Sequence, residues 1–205
     1  MAASSPVRHA RSTRLWHWLS ALSVFVMLMS GMGISNAHPR LYWGEYGANA
    51  DHAWMLLPRF PGWLTIPGRY SLSDSREWHL GFAWVFAWGL AAYLIWIVVR
   101  APLRLKYHIS LRDISPRSLV ADLIGHVRLR FHPGSAAEPY APLQKLIYVA
   151  RIFGVFPLLI ATGLALSPAM DAAWPWLTQV WGGRQSARSV HFILATLTAL
   201  FIIVH

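Results

Sequence analysis

Cysteine is absent from all 205 residues. That excludes thiolate-held iron–sulfur clusters, haem attached through C-x-x-C-H, thiolate zinc and disulfides. Any metal in this chain must therefore rest on histidine or carboxylate. Charge is also scarce: 13% of residues are charged, about half the share usual in soluble domains. Acid is the scarcer sign, with 8 Asp and Glu against 18 Lys and Arg. None of the long hydrophobic runs holds an Asp or Glu. P-loop, Ser/His/Asp and paired-carboxylate patterns are missing, so no bond-making chemistry on organic substrates is expected. Internal repeats and low-complexity tracts do not occur.

What is present is apolar. Hydrophobic residues make up 56% of the chain and the mean hydropathy is +0.40. Four runs stand out: Leu15 to Ile34, Leu80 to Val99, Leu146 to Leu166 (interrupted by Arg151), and Val190 to His205. Each is near the ~20 residues that a helix needs to cross ~30 Å of hydrocarbon. Many of the 12 tryptophans lie where these runs begin or end, as interfacial belts require. The expected fold is an all-α membrane protein, a bundle of four transmembrane helices over about 13–34, 76–100, 143–166 and 187–205. The chain reads as one membrane domain over 1–205, with an outer loop 35–75 and a connector 101–142. The first run is too long for a signal peptide and lacks a small-residue cleavage site.

The net charge of +10 is unevenly placed. Arg8, Arg11 and Arg14 precede the first run with no acid among them. The stretch Arg100–Lys145 holds eight basic residues against Asp113, Asp122 and Glu138. The segments 35–78 and 167–189 hold six basic and five acidic residues. Excess positive charge on alternate connectors is the positive-inside pattern. It places the N-terminus and the 101–142 connector in the cytoplasm, and it explains the basicity without nucleic acid. Pro, Gly and aromatic residues crowd the outer loop, which predicts an ordered cap. Ser115-Pro116 opens a helix-start pattern and predicts a short amphipathic helix on the cytoplasmic surface. The last run ends on His205 with no basic residue or cap, which predicts a native tail beyond it.

Histidine carries the function. His191 and His205 lie 14 residues apart on the last run, about 3.9 turns and 21 Å along one helix face. Helix direction puts His17 and His205 at the inner level and His79 and His191 at the outer level. The crossed pairing joins residues about 20 Å apart in depth, which no single iron bridges. Imidazole is a standard axial ligand of haem iron. Two level-matched pairs therefore predict two b-type haems, His17/His205 inner and His79/His191 outer. The other histidines fall in tails and loops and read as solvated.

A porphyrin between helices requires close backbone approach, so small residues are expected beside it. Gly31, Gly33 and Gly163 fall near the outer level; Gly89 and Gly154 fall near the inner one. Arg151, about one turn into the third run, needs an anionic partner or a route to the interface. An inner-haem propionate and a lipid phosphate are the two candidates. Pro157 is expected to kink the third helix.

These residues resemble the bacterial cytochrome b561 family, four-helix di-haem b-type cytochromes. The family includes the membrane subunits of nickel–iron hydrogenase, formate dehydrogenase and thiosulfate reductase. Its ligands come from helix one, helix two, and helix four twice at a 14-residue spacing, places that His17, His79, His191 and His205 match. Arg40-Leu41-Tyr42-Trp43-Gly44, the stretch Tyr140 to Tyr148, Pro157 and Thr162 to Pro168 are most similar to the thiosulfate-reductase type. The resemblance implies a bacterial inner-membrane subunit that passes electrons between the quinone pool and a periplasmic molybdopterin-type or other redox subunit. Membrane lipid and quinone are then partners, and a homodimer is allowed. Alternatives are a stand-alone cytochrome acting on a diffusible oxidant, a histidine-lined metal-ion transporter, and a structural anchor. The transporter lacks carboxylates in the runs, and the anchor leaves the matched histidines unexplained.

Overall fold

A computed structural model describes residues 11–47, 49–100, 115–127 and 142–204. Four helices in it are long and apolar enough to cross a membrane: Thr13–Ala37, Leu72–Val99, Leu143–Leu166 and Arg184–Val204. The chain is an all-α membrane protein. The elements in order are α1 (Arg11–Ala37), strands β1 (Arg40–Leu41) and β2 (Met55–Leu56), and α2 (Leu72–Arg100). Then come α3 (Pro116–Val127), α4 (Pro142–Ala150) and α5 (Phe156–Leu166), the last two joined through a π-turn at Arg151–Val155. Two short helices, α6 (Pro168–Ala173) and α7 (Trp176–Gln179), precede α8 (Arg184–Val204). Leu15, Phe25, Ile95, Leu197 and Ile203 are all exposed, as they must be where hydrocarbon rather than protein covers them.

The chain divides into two compact units, Met1–Ile95 with Thr162–His205, and Trp96–Ala161. In the first unit the interior is built from small polar residues. Ser23, Ser30, Thr162 and Ser189 are completely buried. Small side chains let membrane helices approach closely, and hydroxyls there can bond carbonyls of their own helix. Ser23 does so to Leu19 and Ser30 to Val26. Gly33 belongs to the same logic: a Cβ on it collides with the Ser75 hydroxyl of α2.

The loop between α1 and α2 is an ordered cap, as its composition predicts. β1 and β2 pair antiparallel, Arg40 opposite Leu56 and Leu41 opposite Met55. Asn36 holds Phe60 by both backbone groups: its amide donates to the carbonyl at 2.9 Å and its Oδ1 accepts from the N–H at 2.7 Å. The cap is fastened to the start of α8. The first N–H groups of a helix lack intrahelical acceptors, and here the Gly44 carbonyl accepts from Gln185 at 3.0 Å and Ser186 at 3.2 Å. Ser186 Oγ in return accepts from the Gly44 N–H at 2.7 Å. Gly183 has φ +112°, and a Cβ on it would sit 2.6 Å from the Gly44 backbone. Only glycine meets both demands.

The helices outrun the hydrophobic runs at their outer ends. α1 continues to Ala37, α2 begins at Leu72 rather than 76, and α8 begins at Arg184 rather than 187. The added turns are polar, and loop partners such as Gly44 sustain them.

In the second unit, α3 stands where the Ser115-Pro116 signature predicts it. Ser115 Oγ accepts from the Ser118 N–H at 3.2 Å, an N-cap. Asp122 accepts from the Leu143 N–H at 3.0 Å, placing a carboxylate at the N-terminus of α4. The π-turn directly precedes Pro157, which lacks an N–H and whose ring crowds the carbonyl four residues back. One extra residue in that turn relieves the clash. The expected kink at Pro157 thus takes the form of a change in helical pitch. The Arg151 guanidinium lies 4.9 Å from the centre of the Phe156 ring.

Candidate haem site

His79 and His191 are each the seventh residue after the start of their helix, about 10 Å along the axis. The structure brings their rings together, with centres 6.1 Å apart and planes at 63°. Metal–imidazole bonds run ~2.0–2.1 Å and a ring centre lies about 1.1 Å behind its nitrogen. One iron ligated on both sides therefore holds two imidazole centres about 6.2 Å apart. The observed gap fits that span.

Each ring is held at Nδ1. His79 Nδ1 lies 3.0 Å from the Met27 carbonyl and 3.2 Å from Ser30 Oγ. A carbonyl only accepts, so Nδ1 carries the proton and a neutral ring keeps its lone pair on Nε2. His191 Nδ1 lies 2.8 Å from Thr162 Oγ1. The flanks are glycine. A Cβ on Gly31 would stand 3.5 Å from His79 Cε1, and one on Gly163 3.6 Å from His191 Cε1. Any longer side chain meets the ring. Ser30 and Thr162 were not among the expected site residues. Their signal is a hydroxyl immediately before the glycine, on the two membrane helices that supply neither of these histidines.

The inner level is described on one side. His17 is exposed on α1, and its ring meets Trp18 edge-on at 5.5 Å. Its expected partner, His205, lies outside the described residues, as do the side chain of His126 and residues His9, His108 and His132. Trp16 fills the space at Gly89: a Cβ there would be 2.7 Å from the indole. That indole stacks on Tyr93 at 5.3 Å. The space at Gly89, expected beside a porphyrin, is filled by Trp16. Gly154 faces open space. Among the described residues no three His, Asp or Glu side chains converge as a metal cluster.

Above the histidine pair, Arg40, Tyr42, Gln185 and Arg188 line a cleft of about 230 Å³ at the base of the cap. Arg188 donates to the His38 carbonyl. Desolvation there, reinforced by Arg188 and then Arg76, holds the His38 imidazole below its ordinary pKa.

A family model for prokaryotic cytochrome b561 matches residues 8–205. The chain belongs to the prokaryotic cytochrome b561 family. This cytochrome is accordingly a multi-pass bacterial membrane protein that binds b-type haem and transfers electrons. It is similar to a protein of Azospira oryzae named as a protein-methionine-sulfoxide reductase subunit, YedZ1. The two are 27% identical over 198 residues, covering 96% of this chain and 87% of the relative. It is also similar to an Escherichia coli protein named as the cytochrome YdhU, 26% identical over 206 residues, with 96% of this chain and 65% of the relative covered. The cytochrome thus spans less than two thirds of YdhU. No solved structure matches it significantly.

Proposed function

We propose that this cytochrome is a di-haem conduit in the bacterial inner membrane, with its N-terminus in the cytoplasm. It carries electrons between the quinone pool and a periplasmic redox subunit. His79 and His191 ligate the outer haem, and His17 and His205 the inner one. The observation that carries the reading is the facing of His79 and His191 across 6.1 Å with both Nδ1 atoms engaged.

Bound haem supplies a one-electron ferric–ferrous couple. The chain does the rest. Met27 and Ser30 fix the His79 tautomer, and Thr162 orients His191. Gly31 and Gly163 keep the ring flanks clear. The apolar helices exclude water. The cap over the outer pair, fastened to α8 about one and a half turns above His191, is the face toward a periplasmic partner. The name of the Azospira oryzae relative favours a reductase complex, and the resemblance to the thiosulfate-reductase type favours a molybdopterin-type subunit as that partner.

The test is a reduced-minus-oxidised spectrum with a pyridine haemochrome count on the purified cytochrome. Two b haems per chain are expected, falling to one in His79→Ala and to the other in His17→Ala. Quinol should reduce the remaining inner haem in His79→Ala. A single haem in the parent chain would remove the conduit reading.

A further inference from the structure

We propose that Ser30 and Thr162 are positioning residues for the outer haem, aligning its two ligand imidazoles and setting its reduction potential. The proposal rests on the reading of His79 and His191 as ligands.

Two helices that carry neither ligand present the same device. In α1 the order is Ser30-Gly31, and in α5 it is Thr162-Gly163. Each hydroxyl meets a ligand Nδ1, at 3.2 Å for Ser30 and 2.8 Å for Thr162. Each following glycine faces the Cε1 of the same ring, at 3.5 and 3.6 Å from its would-be Cβ. Both hydroxyl residues are completely buried. The outer site is thus built twice over, α1 gripping the histidine of α2 and α5 gripping the histidine of α8. Ser30 Oγ donates its own proton to the Val26 carbonyl at 2.7 Å. Its lone pairs are then left for the imidazole N–H.

Ligation through Nε2 puts the imidazole proton on Nδ1, so both Nδ1 atoms donate. An oxygen accepting that proton raises the basicity of the ligating nitrogen. A more basic ligand favours ferric iron over ferrous. The two sides differ in degree. The His79 N–H is shared between Ser30 Oγ and the Met27 carbonyl at 3.0 Å, and the carbonyl survives any side-chain change. Thr162 makes the shorter contact, and valine replaces it with the same shape and no acceptor. Loss of the Thr162 hydroxyl should therefore move the potential more than loss of the Ser30 hydroxyl.

The experiment is a potentiometric titration of the purified holo-cytochrome, following the haem that disappears in His79→Ala. In Thr162→Val the ferric-to-ferrous ratio of that haem at fixed ambient potential should fall about tenfold, or 59 mV upward for one electron. In Ser30→Ala the fall should be about threefold. The inner haem should keep its midpoint in both, and Thr162→Ser should restore the parent value. Parental midpoints in Thr162→Val and Ser30→Ala, with both haems retained, would overturn the proposal: the hydroxyls would then only fill space. If Thr162→Val loses the outer haem altogether, Thr162→Ser decides. Recovery of that haem supports the hydroxyl's role, and continued loss refutes it. A full haem complement in His79→Ala would instead defeat the ligand assignment itself, whatever Ser30 and Thr162 do.

Discussion

The outer and inner levels of this cytochrome are built differently. At the outer level His79 and His191 are locked from behind by Met27, Ser30 and Thr162, and the start of α8 is bonded into the cap. At the inner level His17 is exposed and touches Trp18 edge-on. The space beside Gly89 of α2 is filled by Trp16. His79 and His191 are held by buried hydrogen bonds, which resist reorganisation. His17 has an aromatic neighbour and is exposed. Under the proposed function, exchange with a fixed partner suits the first arrangement, and exchange with a diffusing quinone suits the second.

Bulk beside the rings should break the contrast most sharply. Gly31→Leu or Gly163→Leu places a side chain against a ligand ring, and the outer haem should be lost while the inner haem stays. Gly154→Ala, which faces open space, should leave both. The haemochrome count reads all three. Helix approach comes next. Gly33→Ala forces a methyl into the Ser75 hydroxyl and should destabilise the fold by about 1–3 kcal/mol. Gly33→Ala combined with Ser75→Gly should recover most of that loss in thermal unfolding.

A smaller effect concerns the cap. Ser189 Oγ donates to the Tyr42 carbonyl at 2.6 Å and accepts from Trp54 Nε1 at 3.0 Å. Ser189→Ala leaves the carbonyl of the buried Tyr42 without this donor and releases the Trp54 indole, a cost of about 1–3 kcal/mol. The readouts are faster proteolysis of the 38–71 loop and a shift in tryptophan emission, with both haems retained. The smallest effect concerns pH. Folding lowers the His38 pKa, with burial the main cause. The unfolded chain therefore binds the proton more readily. His38 costs nothing above the unfolded value of about 6.5, and stability declines as pH falls below it. His38→Gln should flatten the fall in melting temperature between pH 7.5 and 5.5.

Much of the architecture is legible in the sequence because a bilayer imposes it. Long apolar runs without acid can only be spanning helices, and Ser115-Pro116 announces α3. The depth-matching of His79 with His191 follows from helix direction alone. Other features depend on partners far away in the chain. The outer turns of α2 and α8 are polar, and hydropathy starts α8 too late because it cannot see the Gly44 carbonyl. Ser30 reads as an ordinary membrane serine bonded to its own helix, and its second contact exists only once α2 has packed. Gly89 reads as porphyrin clearance until Trp16 is found in the space. The π-turn was hidden because proline predicts a disturbance without saying how the backbone absorbs it.

The fastening of Gly44 to Ser186 joins residues 142 positions apart in the chain. The helix bearing His191 follows the loop in the chain, and its first N–H groups find their acceptor on a segment made long before. The folded cap thereby fixes the depth at which α8 begins. A shift of one residue in that seating would turn His191 by about 100° away from His79. The loop thus acts as a gauge for the register on which the facing of His79 and His191 depends.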